Sequence, residues 1–425
     1  MTVGRPAEPE FVAFLAIDWA DQKHAWSLQP AGKGQRERGE VEHSPEAVEA
    51  WIGGLTQRFA GGAIAVAVEQ SRGALVFMLS KYENLHIYPV PPTMSAGIRK
   101  AFYASGDKDD PLDAGVLLEI LFKHRERLRR LSPDTEATRR VQNLVEERRH
   151  LVDEKTAHNN RMVANLKIYF PQILQVFEKV DTTLVCELLQ TWPTLAALQQ
   201  ARPARLRKFM HQHHCRGEEM IQKRLEQIRT AIPAIQDAPV MEAKATAVQV
   251  SARLILVLLE GIKDLERRIE EAAAAHPDFF IFDSLPGAGL VMAPRLLGVF
   301  GSQRERYANA CEVQVCTGIA PIRVSSGQSR RVLFRRGCPK FLRQTFHEWA
   351  GHTIAHSEWA RAFYLQQRAR GKGRHAAIRS LAFKWIRIVF RCWKDRVKYD
   401  ENLYKASLEL RKAPAVLKAC GVAAR

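Results

Sequence analysis

The sequence predicts a three-part chain. An α/β domain covers residues 1–125, a helical middle covers 126–275, and a mostly α-helical, strongly basic end covers 276–425. Three observations carry this division. Short apolar runs alternate with helical patterns up to about residue 125, two long amphipathic stretches frame the middle, and beyond residue 276 glycine-rich turns and arginines precede long basic helices.

In the first part, "FVAFLAID" is a β-rich run ending in Asp18, and "HAWSLQ" can pair with it as a hairpin partner. "SPEAVEAWIGGL" has a Ser-Pro helix start and carries Val48, Trp51, Ile52 and Leu55 at helical spacing. "AIAVAVE" is a buried strand ending in Glu69, "GALVFMLSKY" is helical, and "LHIYPV" is a further strand. The acid-rich stretch "GDKDDPLDAG" (residues 106–115) then opens a helix running through "LDAGVLLEILF". The order read from these patterns is three strands, helix, strand, helix, strand, helix.

The middle opens with a long amphipathic helix that places Val141, Leu144, Val145, Leu151 and Val152 on one face. "SARLILVLLEGIKDLERRIEEAAAAH" is a second such helix. The pair suits a coiled coil or an antiparallel hairpin. Between them Pro193, Pro203 and Pro233 break up shorter helical patterns. In the last part, "FDSLPGAGLVMAPRLLGVFG" reads as a turn followed by a helix. The "CTGIAPIRVSSGQSRRVLFRRG" segment reads as a loop or short hairpin, and a helix begins near Pro339.

Composition narrows the function. Lys and Arg total 64 against 46 Asp and Glu, a formal net charge of +18, which calls for a polyanionic partner. Nucleic acid leads and an anionic membrane surface follows. The seven cysteines include no C-x-x-C pair, as expected of a reduced, cytoplasmic protein. "MTVGRPAEPE" has no apolar signal core, and Asp283, Pro286, Pro294 and Arg295 interrupt the apolar region 281–301, so neither is read as a membrane element. Cys311 and Cys316 read as core thiols, "HQHHC" at 211–215 as surface or core histidines, and Trp349, Trp359, Trp385 and Trp393 as core packing rather than base-stacking groups.

Two constellations could carry chemistry. Asp18 and Glu69 stand at strand ends, where α/β sheets gather functional groups. Asp110 and Asp113 are spaced i, i+3 on one helix face, with Pro111 setting the helix start. Helix capping alone accounts for acids of this kind one at a time. As a set, repelling carboxylates become tolerable when divalent cations hold them, and hard cations with oxygen ligands suit phosphodiester chemistry. The second constellation is Ser325-Ser326-Gly327, surrounded by Arg323, Arg330, Arg331, Arg335, Arg336, Lys340 and Arg343, a phosphate-binding environment.

The spacing of Asp18, Glu69 and "KDDPLDA" resembles the RNase H-like, RuvC-type domain of the DEDD insertion-sequence transposases. These are bridge-RNA-guided recombinases related to the Piv-type DNA invertases. Their third and fourth acids lie in a Lys-Thr-Asp-x-x-Asp-Ala motif, which Lys108, Asp110, Asp113 and Ala114 match; Asp109 replaces the threonine and adds a negative charge. The C-terminal signature is matched in order by Pro286-Gly287-Ala288-Gly289, Gly318 through Pro321, Ser326-Gly327, Arg336-Gly337 and Leu342-Arg343. "NNRMVANL" falls in the expected coiled-coil middle.

The resemblance implies that Ser326, with Ser325 as the open alternative, attacks a DNA phosphate to form a phosphoserine link. It implies that Asp18, Glu69, Asp110 and Asp113 bind Mg²⁺, or Mn²⁺ in its place. It further implies a tetramer built as a dimer of dimers, donor and target DNA as substrates, and a structured noncoding guide RNA. Two other classes fit the residues: a stand-alone junction-resolving endonuclease that uses water as nucleophile, and a non-catalytic nucleic-acid-binding protein. In every case the affinity for DNA or RNA is expected to fall steeply with salt as phosphate contacts release counterions. A flat salt titration would remove the basic C-terminal region as the binding surface.

Overall fold

The computed structural model describes residues 8–102 and 110–410. It divides the chain into two compact units, one ending at Pro133 and the other starting at Asp134. Asp107, Lys108 and Asp109 lie outside the described residues.

The first unit is a five-stranded mixed sheet with helices on both faces. Its strands are β1 (Ala13–Asp18), β2 (Lys23–Pro30), β3 (Glu37–Glu42), β4 (Ile64–Val68) and β5 (Leu85–Pro89), in the spatial order β3-β2-β1-β4-β5. The first three form an antiparallel meander, whereas β1, β4 and β5 run parallel. Parallel strands need crossovers, which helices α1 (Pro45–Arg58) and α2 (Ala74–Leu79) supply. The Ser44 hydroxyl caps α1 by accepting from the Ala47 N–H at 3.2 Å, with Pro45 opening the helix.

Strand β4 is buried along its whole length, as an apolar "IAVAV" run between two helical layers should be. Its two faces differ in size. Ile64, Val66 and Val68, with Leu15 and Ile17 of β1, pack against the apolar residues of α1 and α2. Ala65 and Ala67, with Ala16, share the opposite core with Val116, Leu117, Ile120 and Leu121. These last belong to α4 (Asp110–His124), so small strand residues let that helix lie close to the sheet. The structure adds one helix that the strand-and-helix pattern did not include, α3 (Pro92–Phe102), between β5 and α4.

The second unit is built on two long helices, α5 (Glu136–Tyr169) and, after the short helices α6–α10 (Ile173–Val176, Thr183–Thr191, Leu195–Gln200, Pro203–Gln212 and Glu218–Thr230), α11 (Ala238–Ala274). They run antiparallel: Arg148 pairs with Glu266 at 2.5 Å, and Thr138 meets His276, just past the end of α11, at 2.9 Å. By composition α11 is long and apolar enough to cross a bilayer. In the fold its apolar residues supply a seam against α5 and the short helices instead. Val248, Ala252 and Ile255 share one core with Met162 and Leu166, while Ile269 and Ala272 share another with Val141 and Val145.

That second core holds the remaining helices: α12 (Phe279–Asp283), α13 (Gly289–Phe300), α14 (Ala310–Cys316), α15 (Lys340–His356), α16 (Glu358–Ala369), α17 (Arg374–Asp395) and α18 (Glu401–Leu410). The four tryptophans singled out above are all fully buried there, and each indole N–H finds an acceptor. Trp349 donates to the Pro286 carbonyl, Trp359 to the Tyr399 hydroxyl, Trp385 to the Thr353 hydroxyl and Trp393 to the Gly301 carbonyl. The Cys311 thiol is a correction: it is exposed, whereas Cys316 is half-buried and packs against this core beside Val313 of the same short helix α14.

Trp385 lies 4.5 Å from the Trp359 ring and 5.0 Å from Trp349, centroid to centroid. Trp385→Ala is expected to cost about 3–5 kcal/mol, the usual range for an aromatic cavity. The check is the urea transition followed by near-UV circular dichroism; a loss below about 1 kcal/mol would contradict the packing.

Candidate active site

The parallel register of β1 and β4 places two acids side by side. Ile17 pairs with Val68, so Asp18 and Glu69 are the next residues on neighbouring strands, at the same carboxyl end. Strands lie about 4.8 Å apart. Side chains alternate along each strand, which puts Asp18 in phase with Ala16 and Glu69 in phase with Ala67, on the face that α4 covers. Asp113 sits on α4 and is 8% exposed. Asp110 begins the same helix by its backbone; its side chain lies outside the described residues.

Helix α3 reaches this group of acids. The Ser95 hydroxyl, itself buried, donates to Glu69 Oε1. One turn further on, Arg99 Nη2 stands 2.6 Å from Asp113 Oδ1. Neither residue figured in the sequence reading, although "PPTMSAGIRKAF" carries a proline at its helix start and basic residues in its last turn. Among the described residues no three histidine, cysteine or carboxylate side chains come together as a group that could hold a metal ion. By their chemistry the donors nevertheless suit a hard divalent cation, since Asp18, Glu69 and Asp113 offer carboxylate oxygens.

The turn leaving Asp18 is braced by histidine. The Ala20 N–H donates to His24 Nδ1 at 3.2 Å, which leaves the ring proton on Nε2, 2.8 Å from His43 Nδ1. Burial, then the neighbouring His43, lowers the His24 pKa from 6.5 to about 4.

In the second unit, Ser325 and Ser326 end β6 (Ile322–Ser326), which pairs antiparallel with β7 (Ser329–Leu333). Gly327 opens the two-residue turn at φ +54°, a left-handed conformation that favours glycine. Ser326 faces Ser329 across the ladder and shares its face with Val324 and Arg331. Ser325 faces Arg330 and shares the other face with Arg323 and Val332. Both serines, Arg323, Arg330, Arg331, Arg336 and Lys340 are exposed.

Arg335 and Arg343 do a different job at the hairpin base. Arg335 donates to the Ala320 carbonyl at 3.2 Å, and Arg343 to the Arg335 carbonyl at 3.2 Å. Arg343 and Arg379, the latter overlooked in the sequence, lie on the Phe334 ring at 4.8 and 5.0 Å. Gly287, just before α13, also has a packing role. A Cβ on Gly287 (φ +65°) would stand 2.9 Å from the His356 ring, so the turn packs closely against α15. Among "HQHHC", His211 and His213 face Glu218 and Glu187 at 2.9 and 3.2 Å.

Comparison with known proteins gives the family. Residues 15–171 match the DEDD transposase model of IS110, and residues 281–365 match the model described as "Transposase IS116/IS110/IS902 family". The chain belongs to the IS110 family of insertion-sequence transposases. It is similar to a mini-circle protein named as a transposase for IS117 of Streptomyces coelicolor, at 26% identity over 93% of this chain and 97% of that protein. It is likewise similar to the insertion element IS110 43.6 kDa protein of the same organism, at 26% identity and the same coverage. A third relative is the insertion element IS900 42 kDa protein of Mycobacterium paratuberculosis, at 23% identity over 82% of this chain and 87% of that protein. Membership makes this IS110-family transposase a DNA-cutting and DNA-transferring protein.

The brace behind Asp18 has a pH signature. Folding holds His24 neutral while the unfolded ring titrates near 6.5, so the folded state binds fewer protons between those values. Stability is therefore complete above about pH 6.5 and is lost as pH falls towards 4. Thermal midpoints of the wild type should drop over that window more steeply than those of His24→Gln; parallel curves would dismiss the brace.

Proposed function

We propose that this transposase is an RNA-guided DNA recombinase that cuts and exchanges strands through a phosphoserine intermediate on Ser326. Its N-terminal unit is an RNase H-like domain in which Asp18, Glu69, Asp110 and Asp113 hold Mg²⁺ or Mn²⁺. The observation that carries this reading is the placement of Asp18 beside Glu69 at the carboxyl end of the sheet, on the face covered by the helix that bears Asp113. The meander followed by parallel strands, in the order β3-β2-β1-β4-β5, supports the RNase H-like assignment.

Ser326 Oγ attacks a DNA phosphorus, forming an Oγ–P bond while one bridging P–O bond breaks. The serine proton is lost to solvent or base, and the departing DNA oxygen takes up a proton or remains stabilised as the alkoxide. A DNA hydroxyl later attacks the phosphoserine, restores the diester and releases the serine. Arg331, on the same hairpin face, and the neighbouring exposed cations neutralise the charge that builds on the attacked phosphate. A divalent cation bound by the four acids would supply Lewis-acid stabilisation of the phosphate and the leaving oxygen.

Sequence choice is delegated to a structured guide RNA that pairs with donor and target DNA, which suits a hairpin rich in backbone-binding arginine. The active form is a tetramer, a dimer of dimers in the bacterial cytoplasm, in which serine and acids from different subunits meet. A second reading, a junction-resolving endonuclease using water, draws on the fact that the acids lie within a compact unit of their own.

Recombination of supercoiled plasmids with the flanking noncoding RNA supplied separates the two. Ser326→Ala should abolish recombination and the protein–DNA adduct seen on denaturing gels, whereas Ser325→Ala keeps both. Strand cleavage that survives Ser326→Ala would instead establish the water-dependent nuclease. Asp110→Asn should abolish cleavage while nucleic-acid binding persists.

A further inference from the structure

The acids of the first unit are held by a helix that neither the motif nor the family match assigns. Helix α3 presents Ser95 and Arg99 four residues apart, hence on one face. Ser95 is 2% exposed, and its hydroxyl bonds Glu69 Oε1 while lying 3.1 Å from the Pro92 carbonyl that opens its own helix. The side chain is thereby fixed in direction, and so is the Glu69 oxygen it touches. Arg99 is more exposed, yet its guanidinium stands 2.6 Å from the nearly buried Asp113 carboxylate. Among the described residues its Nε is shielded from solvent without a hydrogen-bond partner.

The two contacts differ in electrostatic kind. A hydroxyl that bonds a carboxylate orients it and leaves the charge of the cluster unchanged, which is how groups behind a metal ligand improve its geometry. A guanidinium adds a positive charge beside a carboxylate meant for a divalent cation. In a half-buried site like charges a few ångströms apart repel strongly. The guanidinium charge also relieves repulsion among the acids while no metal is present.

We propose that Ser95 and Arg99 are the positioning residues of the acid cluster. Ser95 orients Glu69 towards a divalent cation, and Arg99 is the resident counter-charge on Asp113 that the cation must displace. The inference rests on the metal-binding reading of these acids. It predicts effects of opposite sign from two neighbours on one helix, which a merely structural α3 would not produce.

The test is Mn²⁺ binding to the full-length protein, read by electron paramagnetic resonance of free Mn²⁺ and by the Mn²⁺-induced rise in thermal midpoint. Arg99→Gln should tighten Mn²⁺ binding about tenfold or more and lower the metal-free midpoint. Arg99→Lys, which keeps the charge, should stay within about threefold of the wild type. Ser95→Ala should weaken binding about tenfold and Ser95→Thr restore it. Binding to Arg99→Gln but not to the wild type would support the proposal in its strongest form. If Asp113→Asn weakens Mn²⁺ binding but Arg99→Gln does not tighten it, or if both α3 substitutions shift it the same way, this inference fails while the metal site stands. If neither the wild type nor Arg99→Gln binds Mn²⁺, both fail.

Discussion

Everything at the acidic end of the first unit depends on the register between β1 and β4. Ile17 stands against Val68, so on each strand the first residue past the shared apolar run is an acid. The register is locked by a difference in side-chain size. Valine and isoleucine fill one face of β4 and alanine the other. A slip of one residue would force the branched side chains against α4, where methyl groups leave no room for them. The same alanines let α4 approach the sheet and bring Asp113 over the strand ends. Residues that never touch a substrate thus decide where the carboxylates stand.

Much of this was legible in the sequence, and the reasons are local. The strand ending at Asp18 and the one leading into Glu69 announce themselves as apolar, β-branched runs of strand length, and the Ser44-Pro45 start of α1 is a short-range signal. The four tryptophans were read as core from helical spacing alone, and they are buried. The DEDD spacing pointed to the transposase family that the domain matches then showed.

What the sequence concealed are interactions between distant segments or competing uses of one residue type. Helix α3 is short and opens on prolines, and its role emerges only where it meets Glu69 and Asp113, twenty-six and fourteen residues from their partners. Gly287 reads in the sequence only as part of a turn, and the space beside it belongs to His356 on the distant α15. Arginine is ambiguous for the same reason: Arg335 and Arg343 spend hydrogen bonds on backbone carbonyls at the hairpin base, whereas Arg330 and Arg331 stay in solvent. Composition counts all four alike.

The hairpin of β6 and β7 is a two-stranded sheet whose edges are open and whose strands expose Val324, Val332 and Leu333. Such a ribbon is a template for unwanted strand pairing between molecules. Arg323 on one strand and the adjacent Arg330 and Arg331 on the other interrupt the apolar residues, so two copies approaching edge to edge bring like charges together. The arginines that the proposed function turns towards a phosphate backbone therefore also oppose strand pairing between free copies. That protection weakens with ionic strength and disappears where a polyanion neutralises the charge. Resistance to self-pairing and the proposed phosphate contacts would, in this hairpin, rest on one set of side chains.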